Sequence, residues 1–248
     1  MYQKERLENI VQLVKEHGYI TVKYLVSTLH YSNATINRDL NVLVAQKRIR
    51  RSYGGVEYIE KKGVALPFRY SYMRKEKLKI GKKATELISD NDTVFIDAST
   101  TTEYMVQFLA EKKGITVITN NMAVVMHLSE FGIKTVCLGG TVVEPPYMLG
   151  GDETVENALK YHADKAFFST AYMSEKGEIG AGGYALLHTV MAQNAKKVYY
   201  LADHEKIVNG HSNQKYIFDF SKVDGVISDY EFDEEMKKKY PHTCFYKV

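Results

Sequence analysis

The sequence predicts an α/β protein in two parts, a small winged helix-turn-helix followed by a larger, mostly parallel α/β domain. Three observations predict it. The N-terminal stretch holds three short amphipathic patterns separated by tight turns and closed by a Gly-Gly hairpin. Beyond residue 72, short apolar runs alternate with helical patterns, as they do when helices cover both faces of a parallel sheet. Charge divides along the same line. Residues 1–75 carry 14 Lys and Arg against 6 Asp and Glu, while the whole chain is only +3, so the remainder is net acidic. A basic first third on an acidic body suits a polyanionic partner for that third alone.

Taken in order, Leu7, Ile10, Val11 and Val14 recur at helical spacing between Lys4 and His17, and Gly18 is placed to end that helix. Thr21 can cap a second helix with Val22, Leu25, Val26 and Leu29 on its apolar stripe. His30 and Tyr31 form a turn. Ser32 then caps a third helix running to about Lys47, with Ile36, Leu40 and Leu43 buried. Its exposed first turns carry Asn33, Ala34, Thr35, Asn37 and Arg38, groups able to hydrogen-bond base edges or phosphate. Strands at Arg48–Ser52 and Val56–Ile59 around Gly54-Gly55 form a wing that offers Arg48, Arg50, Arg51 and Tyr53 to a phosphate backbone. The candidate DNA-binding residues are therefore Ser32, Asn33, Thr35, Asn37, Arg38, Arg48, Arg50, Arg51 and Tyr53.

These residues carry a family resemblance. Arg6-x-x-x-Ile10, Tyr31-Ser-Asn-Ala-Thr-Ile-Asn-Arg-Asp-Leu40 and Arg51-Ser-Tyr-Gly-Gly55 resemble the DeoR family of sugar-metabolism repressors. Asn37 departs from the arginine usual there, and Tyr53 from the usual histidine. The resemblance implies a transcription repressor that binds a double-stranded DNA operator.

Residues 58–71 mix Glu60-Lys61-Lys62-Gly63 with Pro67 and read as a linker, which divides the chain into 1–57, 58–71 and 72–248. Past it, strands are expected at Thr93–Ile96, Ile115–Thr119, Lys134–Leu138, Lys165–Ser169, Val198–Ala202 and Gly225–Ser228. Ligands of such sheets sit at the carboxyl ends of the strands. There the sequence gathers Asp97, Ser99, Thr100, Thr101 and Thr102 after the first strand, Thr119, Asn120 and Asn121 at the second, and Gly139 and Gly140 after the third. Hydroxyls and free backbone N–H groups suit a phosphate. Each such group can equally cap a helix, but three strand ends of this kind favour a pocket.

The second part is also similar to the DeoR effector domain, and so to ribose-5-phosphate isomerase, through Phe68-Arg69, Lys77-x-x-Ile80-x-x-x-Ala84, Phe95-Ile-Asp-Ala-Ser-Thr-Thr-Thr102, Val117-Ile-Thr-Asn-Asn121, Leu138-Gly-Gly140, Asp164-Lys-Ala-Phe167 and Leu201-Ala-Asp-His-Glu-Lys206. That similarity implies that Asp97–Thr102, Thr119–Asn121 and Lys206 line a pocket for a phosphorylated effector, with Lys206 as a point charge. Ser99 stands where the family has glycine, Ser169-Thr170-Ala171-Tyr172 where it has Gly-Ala-Asp-Gly, and Tyr184-Ala-Leu-Leu-His188 where it has a charged stretch.

Other classes are weighed against this reading. No run of 18 or more apolar residues spans a membrane, and Met1-Tyr2-Gln3-Lys4-Glu5-Arg6 opens a charged helix, not a signal peptide. Cys137 and Cys244 match no metal spacing and fit a reducing cytoplasm; no cofactor or metal is expected. His188, His204 and His211 are expected to be exposed or to cap turns, and Asp97 and Asp203, each ending a strand, to cap the turn that follows. A sugar-phosphate isomerase or deaminase with a DNA-binding appendage is the alternative, but no carboxylate lies between Phe167 and Ser174. A ligand-independent DNA-binding protein is the third reading. One winged helix offers little basic surface, so a homodimer or higher homo-oligomer is expected, held by the α/β domain.

Overall fold

The computed structural model describes residues 3–17, 19–46, 48–52, 54–58, 72–144, 147–181, 185–208 and 215–248. The chain divides into two compact units, Met1–Val64 and Ala65–Val248.

In the first unit, α1 (Gln3–His17), α2 (Val22–Leu29) and α3 (Asn33–Ala45) pack around Leu7, Ile10, Val14, Leu25, Ile36, Leu40 and Leu43. Thr21 caps α2 by accepting from Tyr24 N at 3.1 Å, and Ser32 caps α3 by accepting from Thr35 N at 3.1 Å. His30 takes a left-handed conformation (φ 57°) that closes the turn between them. The wing is a three-stranded sheet in the order β1 (Tyr19–Thr21), β3 (Gly55–Tyr58), β2 (Ile49–Ser52). Gly54 holds φ +71° in the hairpin turn. A Cβ on Gly55 would lie 2.3 Å from the Ile20 carbonyl oxygen, so glycine permits β1 to pair with β3. The third strand was not expected, because three residues give too short an alternation to register. The wing strands begin one residue later (Ile49) or earlier (Gly55) than the sequence reading placed them, and α3 ends at Ala45 rather than near Lys47. Tyr58 lies in β3, not in the linker. Gly18, Lys47, Tyr53 and the remainder of the expected linker lie outside the described residues.

In the second unit, seven strands form one sheet in the order β16-β15-β12-β9-β4-β5-β6, every neighbouring pair parallel. They are β4 (Thr93–Ile96), β5 (Thr116–Thr119), β6 (Lys134–Cys137), β9 (Ala163–Phe168), β12 (Ala195–Ala202), β15 (Gly225–Ser228) and β16 (Cys244–Lys247). Six of these are the expected strands; edge strand β16 was not foreseen. Side chains alternate across the sheet. Val94, Ile96, Val117, Phe167 and Leu201 pack with Ile80, Ala84 and Ile88 of α4 (Arg74–Glu86) and its continuation. On the opposite face, Phe95, Ile118 and Ala166 meet Leu187, Val190 and Met191 of α9 (Ala185–Gln193). Burial on both faces stabilises each such side chain by roughly 1.5–3 kcal/mol.

Two further features were not foreseen. A four-stranded sheet joins β13 (Ile207–Val208), β10 (Tyr172–Ser174), β11 (Glu178–Ala181) and β14 (Lys215–Asp219). It shares an aromatic core, Phe168, Tyr200, Phe218 and Phe220, with the main sheet. A hairpin of β7 (Thr141–Glu144) and β8 (Met148–Gly150) follows Gly140. Short helices α5 (Thr100–Glu103), α6 (Val106–Leu109) and α8 (Asp152–Ala158), with α7 (Met122–Glu130) and α10 (Glu234–Lys239), are the remaining α-helices among the described residues.

Candidate effector pocket and nucleic-acid interface

Parallel strands deliver their carboxyl ends to one rim of the sheet, and four central strands end there in polar residues. Asp97 follows β4, Asn120 and Asn121 follow β5, Ser169 and Thr170 follow β9, and Asp203 follows β12. Asp97 organises the rim. It is 2 % exposed, yet its carboxylate accepts from Ser99 N (3.3 Å), Thr102 Oγ1 (2.7 Å) and Ser169 N (3.2 Å), and lies 3.0 Å from His188 Nε2. It thus ties β4, β9 and α9 together. A buried carboxylate needs such saturation to remain in the interior. The expectation that Asp97 caps its turn holds, but the larger use is this cross-linking.

Lys206 enters the rim from the short helical turn after β12. Its ammonium donates to Thr101 Oγ1 (3.0 Å), Ser169 Oγ (2.6 Å) and the Thr170 carbonyl (2.9 Å). A second lysine, Lys77 of α4, is 3 % exposed and donates to Thr100 Oγ1 at 3.2 Å. The two cations therefore reach adjacent threonines of α5. Ser99 caps α5 through its hydroxyl, accepting from Thr102 N at 3.1 Å. Asn121 caps α7, accepting from Ala123 N at 2.8 Å, and donates to Glu103. Thr119 accepts from Asn121 N at 3.0 Å. Asn120 donates to the Leu149 carbonyl, while its Oδ1 is buried without a hydrogen-bond partner among the described residues, as is His188 Nδ1.

The structure bonds Asp97, Ser99 and Thr102 to one another and Lys206 to Thr101, and Ser169 links the two groups. It leaves Gly139 and Gly140 outside that network: the Gly139 carbonyl accepts from Thr154 Oγ1 of α8 at 2.7 Å, and Gly140 (φ +106°) turns the chain into the β7–β8 hairpin. Two readings are corrected. His188 was expected to be exposed or capping, but it is 6 % exposed and bonded to Asp97, because its place on α9 directs it inward beside Phe168. Asp203 is buried, and its side chain makes no cap on the turn after β12. His204 is exposed, and its hydrogen bond to Asp229 raises its pKa. His211 lies outside the described residues. Near the same turn, burial and then the hydrogen bond to Glu205 raise the pKa of the Tyr72 phenol. Residues the sequence reading left out of the site are Lys77, Ser169, Thr170 and His188.

In the first unit, α3 exposes Ser32, Asn33 and Arg38 and half-buries Thr35 and Asn37. Arg38 makes no ion pair with any described residue. Arg48 is engaged by Glu8 through two bonds, of 2.7 and 2.6 Å. Arg51 donates from the wing to Asn41 Oδ1 of α3 at 2.9 Å. The side chains of Arg50 and Tyr53 lie outside the described residues. Beneath this face, Asp39 is fully buried and paired with Arg6, whose guanidinium also lies 4.9 Å from the Tyr31 ring centroid.

A helix-turn-helix with a wing, joined in one chain to a parallel sheet whose strand ends form a lysine-bearing polar rim, defines a one-component transcription regulator. The chain belongs to the DeoR family: residues 6–62 match the DeoR-like helix-turn-helix domain and residues 73–230 the DeoR C-terminal sensor domain. It is 35 % identical over 234 residues to the HTH-type transcriptional repressor GlcR of Bacillus subtilis (strain 168), covering 92 % of this chain and 89 % of that one. It is 28 % identical over 234 residues to the glycerol-3-phosphate regulon repressor of Escherichia coli (strain K12), covering 92 % of each. Among solved structures it is similar to ribose 5-phosphate isomerase A from Methanocaldococcus jannaschii, with a TM-score of 0.41, 21 % identity and 55 % of each chain covered. No helix among the described residues is long and apolar enough to cross a membrane.

Proposed function

We propose that this chain represses carbohydrate-metabolism genes as a cytoplasmic homo-oligomer, binding an operator through α3 and the wing and releasing or gripping it in response to a phosphorylated sugar or polyol. The division is the helix-turn-helix and wing through Tyr58 for DNA, the stretch from there to residue 71 as linker, and residues 72–248 for effector and assembly. In this reading Asn33, Thr35, Asn37 and Arg38 read base edges from the helix that Ser32 caps, and Arg48, Arg50, Arg51 and Tyr53 serve as phosphate contacts. Two copies in a symmetric dimer read a palindrome.

The observation that carries the effector reading is the ammonium of Lys206 among Thr101, Ser169 and the Thr170 carbonyl, with buried Lys77 one threonine away. A phosphate dianion over Ser99–Thr102 gains Lys206 as a point charge and the hydroxyls as donors. Asp97, Thr119, Asn120 and Asn121 shape the adjoining strand ends, and Gly139 with Gly140 flanks them through the hairpin. A relative named for a glycerol-3-phosphate regulon supports a phosphorylated ligand. An isomerase is not favoured: Asp97 already holds three donors and His188, and Ser169–Tyr172 offers no carboxylate to act as base.

A thermal-shift screen of sugar phosphates on the wild type and Lys206→Ala tests the reading. Ligand at 100 times its Kd stabilises by about 2.7 kcal/mol. The account expects at least one phosphorylated compound to raise the wild-type melting temperature and to lose that effect in Lys206→Ala; no response across the panel contradicts it.

A further inference from the structure

Helix α3 carries asparagine at 33, 37 and 41, a spacing of four that aligns them on one face. They are bound to one another and to the wing. Asn37 Nδ2 donates to the Asn33 carbonyl at 2.9 Å and also to Asn33 Oδ1. Arg51 of the wing donates to Asn41 Oδ1 at 2.9 Å and reaches the Asn37 carbonyl at 3.5 Å. The C-terminal asparagine is thus a brace, and the two N-terminal ones lie where helices of this kind present side chains to base edges.

Counting donors and acceptors gives the pair a definite code. An amide has two N–H donors and one oxygen. Both hydrogens of Asn37 Nδ2 are used on Asn33, which leaves Asn37 Oδ1 as a bare acceptor. Asn33 Oδ1 is used in turn, which leaves Asn33 Nδ2 with its hydrogens. The bonded pair therefore has one acceptor and one donor left over, on residues one helical turn apart. In the major groove adenine presents a donor (N6) beside an acceptor (N7), whereas guanine presents two acceptors, cytosine a donor and thymine an acceptor beside a methyl group. We propose that Asn33 and Asn37 act as one coupled unit that reads a single adenine in each operator half-site, held in place by the Arg51–Asn41 brace. This rests on the reading that α3 enters the major groove.

The test uses the full chain and begins with selection from a randomised duplex library. In the best site, each adenine is then replaced singly by 7-deazaadenine, which lacks the N7 acceptor but pairs normally. One adenine per half-site is expected to cost the wild type about tenfold in affinity when deaza-substituted. Asn33→Ala should bind the unmodified site more weakly and show no further loss at that base. Asn37→Arg should select guanine at the same position, since arginine donates twice to O6 and N7. Affinity indifferent to every deaza substitution, or an equal loss in Asn33→Ala, overturns the coupled reader while leaving operator binding intact. A library that yields no enriched sequence overturns the groove reading and this inference together.

Discussion

Replacing Arg6 with alanine tests how α3 is held. Asp39 is fully buried on α3, and its side chain is bonded by Arg6, which is 13 % exposed, and by Gln3 at 3.4 Å. Removing the guanidinium leaves a buried carboxylate without its charge partner, which costs about 3–5 kcal/mol; the partial exposure of Arg6 places the effect near the lower bound. A unit of this size holds only about 3–9 kcal/mol in total, so α3 should open far more readily. Hydrogen exchange of peptides from α1 and α3 reads this directly, and protection should fall at least ~100-fold. The double variant Arg6→Met/Asp39→Leu removes both charges and should recover most of the loss. Exchange in Arg6→Ala within threefold of the wild type would refute the claim that this pair anchors α3.

Other consequences follow from the second unit. Phe168 is fully buried between Tyr200, Phe218 and His188, so Phe168→Ala should cost ~3–5 kcal/mol in urea unfolding with little change in slope. The Asp164 pKa is lowered first by Lys196 and then by the Thr93 amide. Its contribution to stability is complete above the ordinary carboxyl value of 3.8 and is lost as pH falls through the lowered folded value. Asp164→Asn should therefore flatten the acid limb of the stability profile below that pH, and an unchanged limb would contradict the assignment.

The main sheet was legible because its strands are runs of β-branched and aromatic residues buried on both faces, such as Thr93–Ile96 and Gly225–Ser228. The second sheet was not: β10 and β13 have three and two residues, too few to show a period. The strand-end polar residues were readable from position alone, but their partners were not, since Asp97 and His188 are 91 residues apart. One available signal was passed over. Asp39, Lys77 and His188 each fall on the apolar stripe of their helix, beside Ile36 and Leu43, Ile80 and Ala84, and Met191. A charged or titratable residue on such a stripe must find a partner inside, and all three do. Gly139 and Gly140 lead the chain into the β7–β8 hairpin, a use that a glycine pair at a strand end does not announce in the sequence.

Operator affinity with and without sugar phosphates, for the wild type and Lys206→Ala, tests the central claim that one chain couples a strand-end phosphate site to DNA reading. A ligand acts only through its preference for one arrangement of the two units, and typical couplings of ~1–3 kcal/mol change affinity roughly 5- to 150-fold. The account predicts a shift in that range for at least one phosphorylated compound on the wild type. Lys206→Ala should bind operator normally in the absence of ligand and show no shift at the same concentration. Wild-type affinity unmoved by every compound, or a Lys206→Ala protein that responds as fully as the wild type, would contradict it.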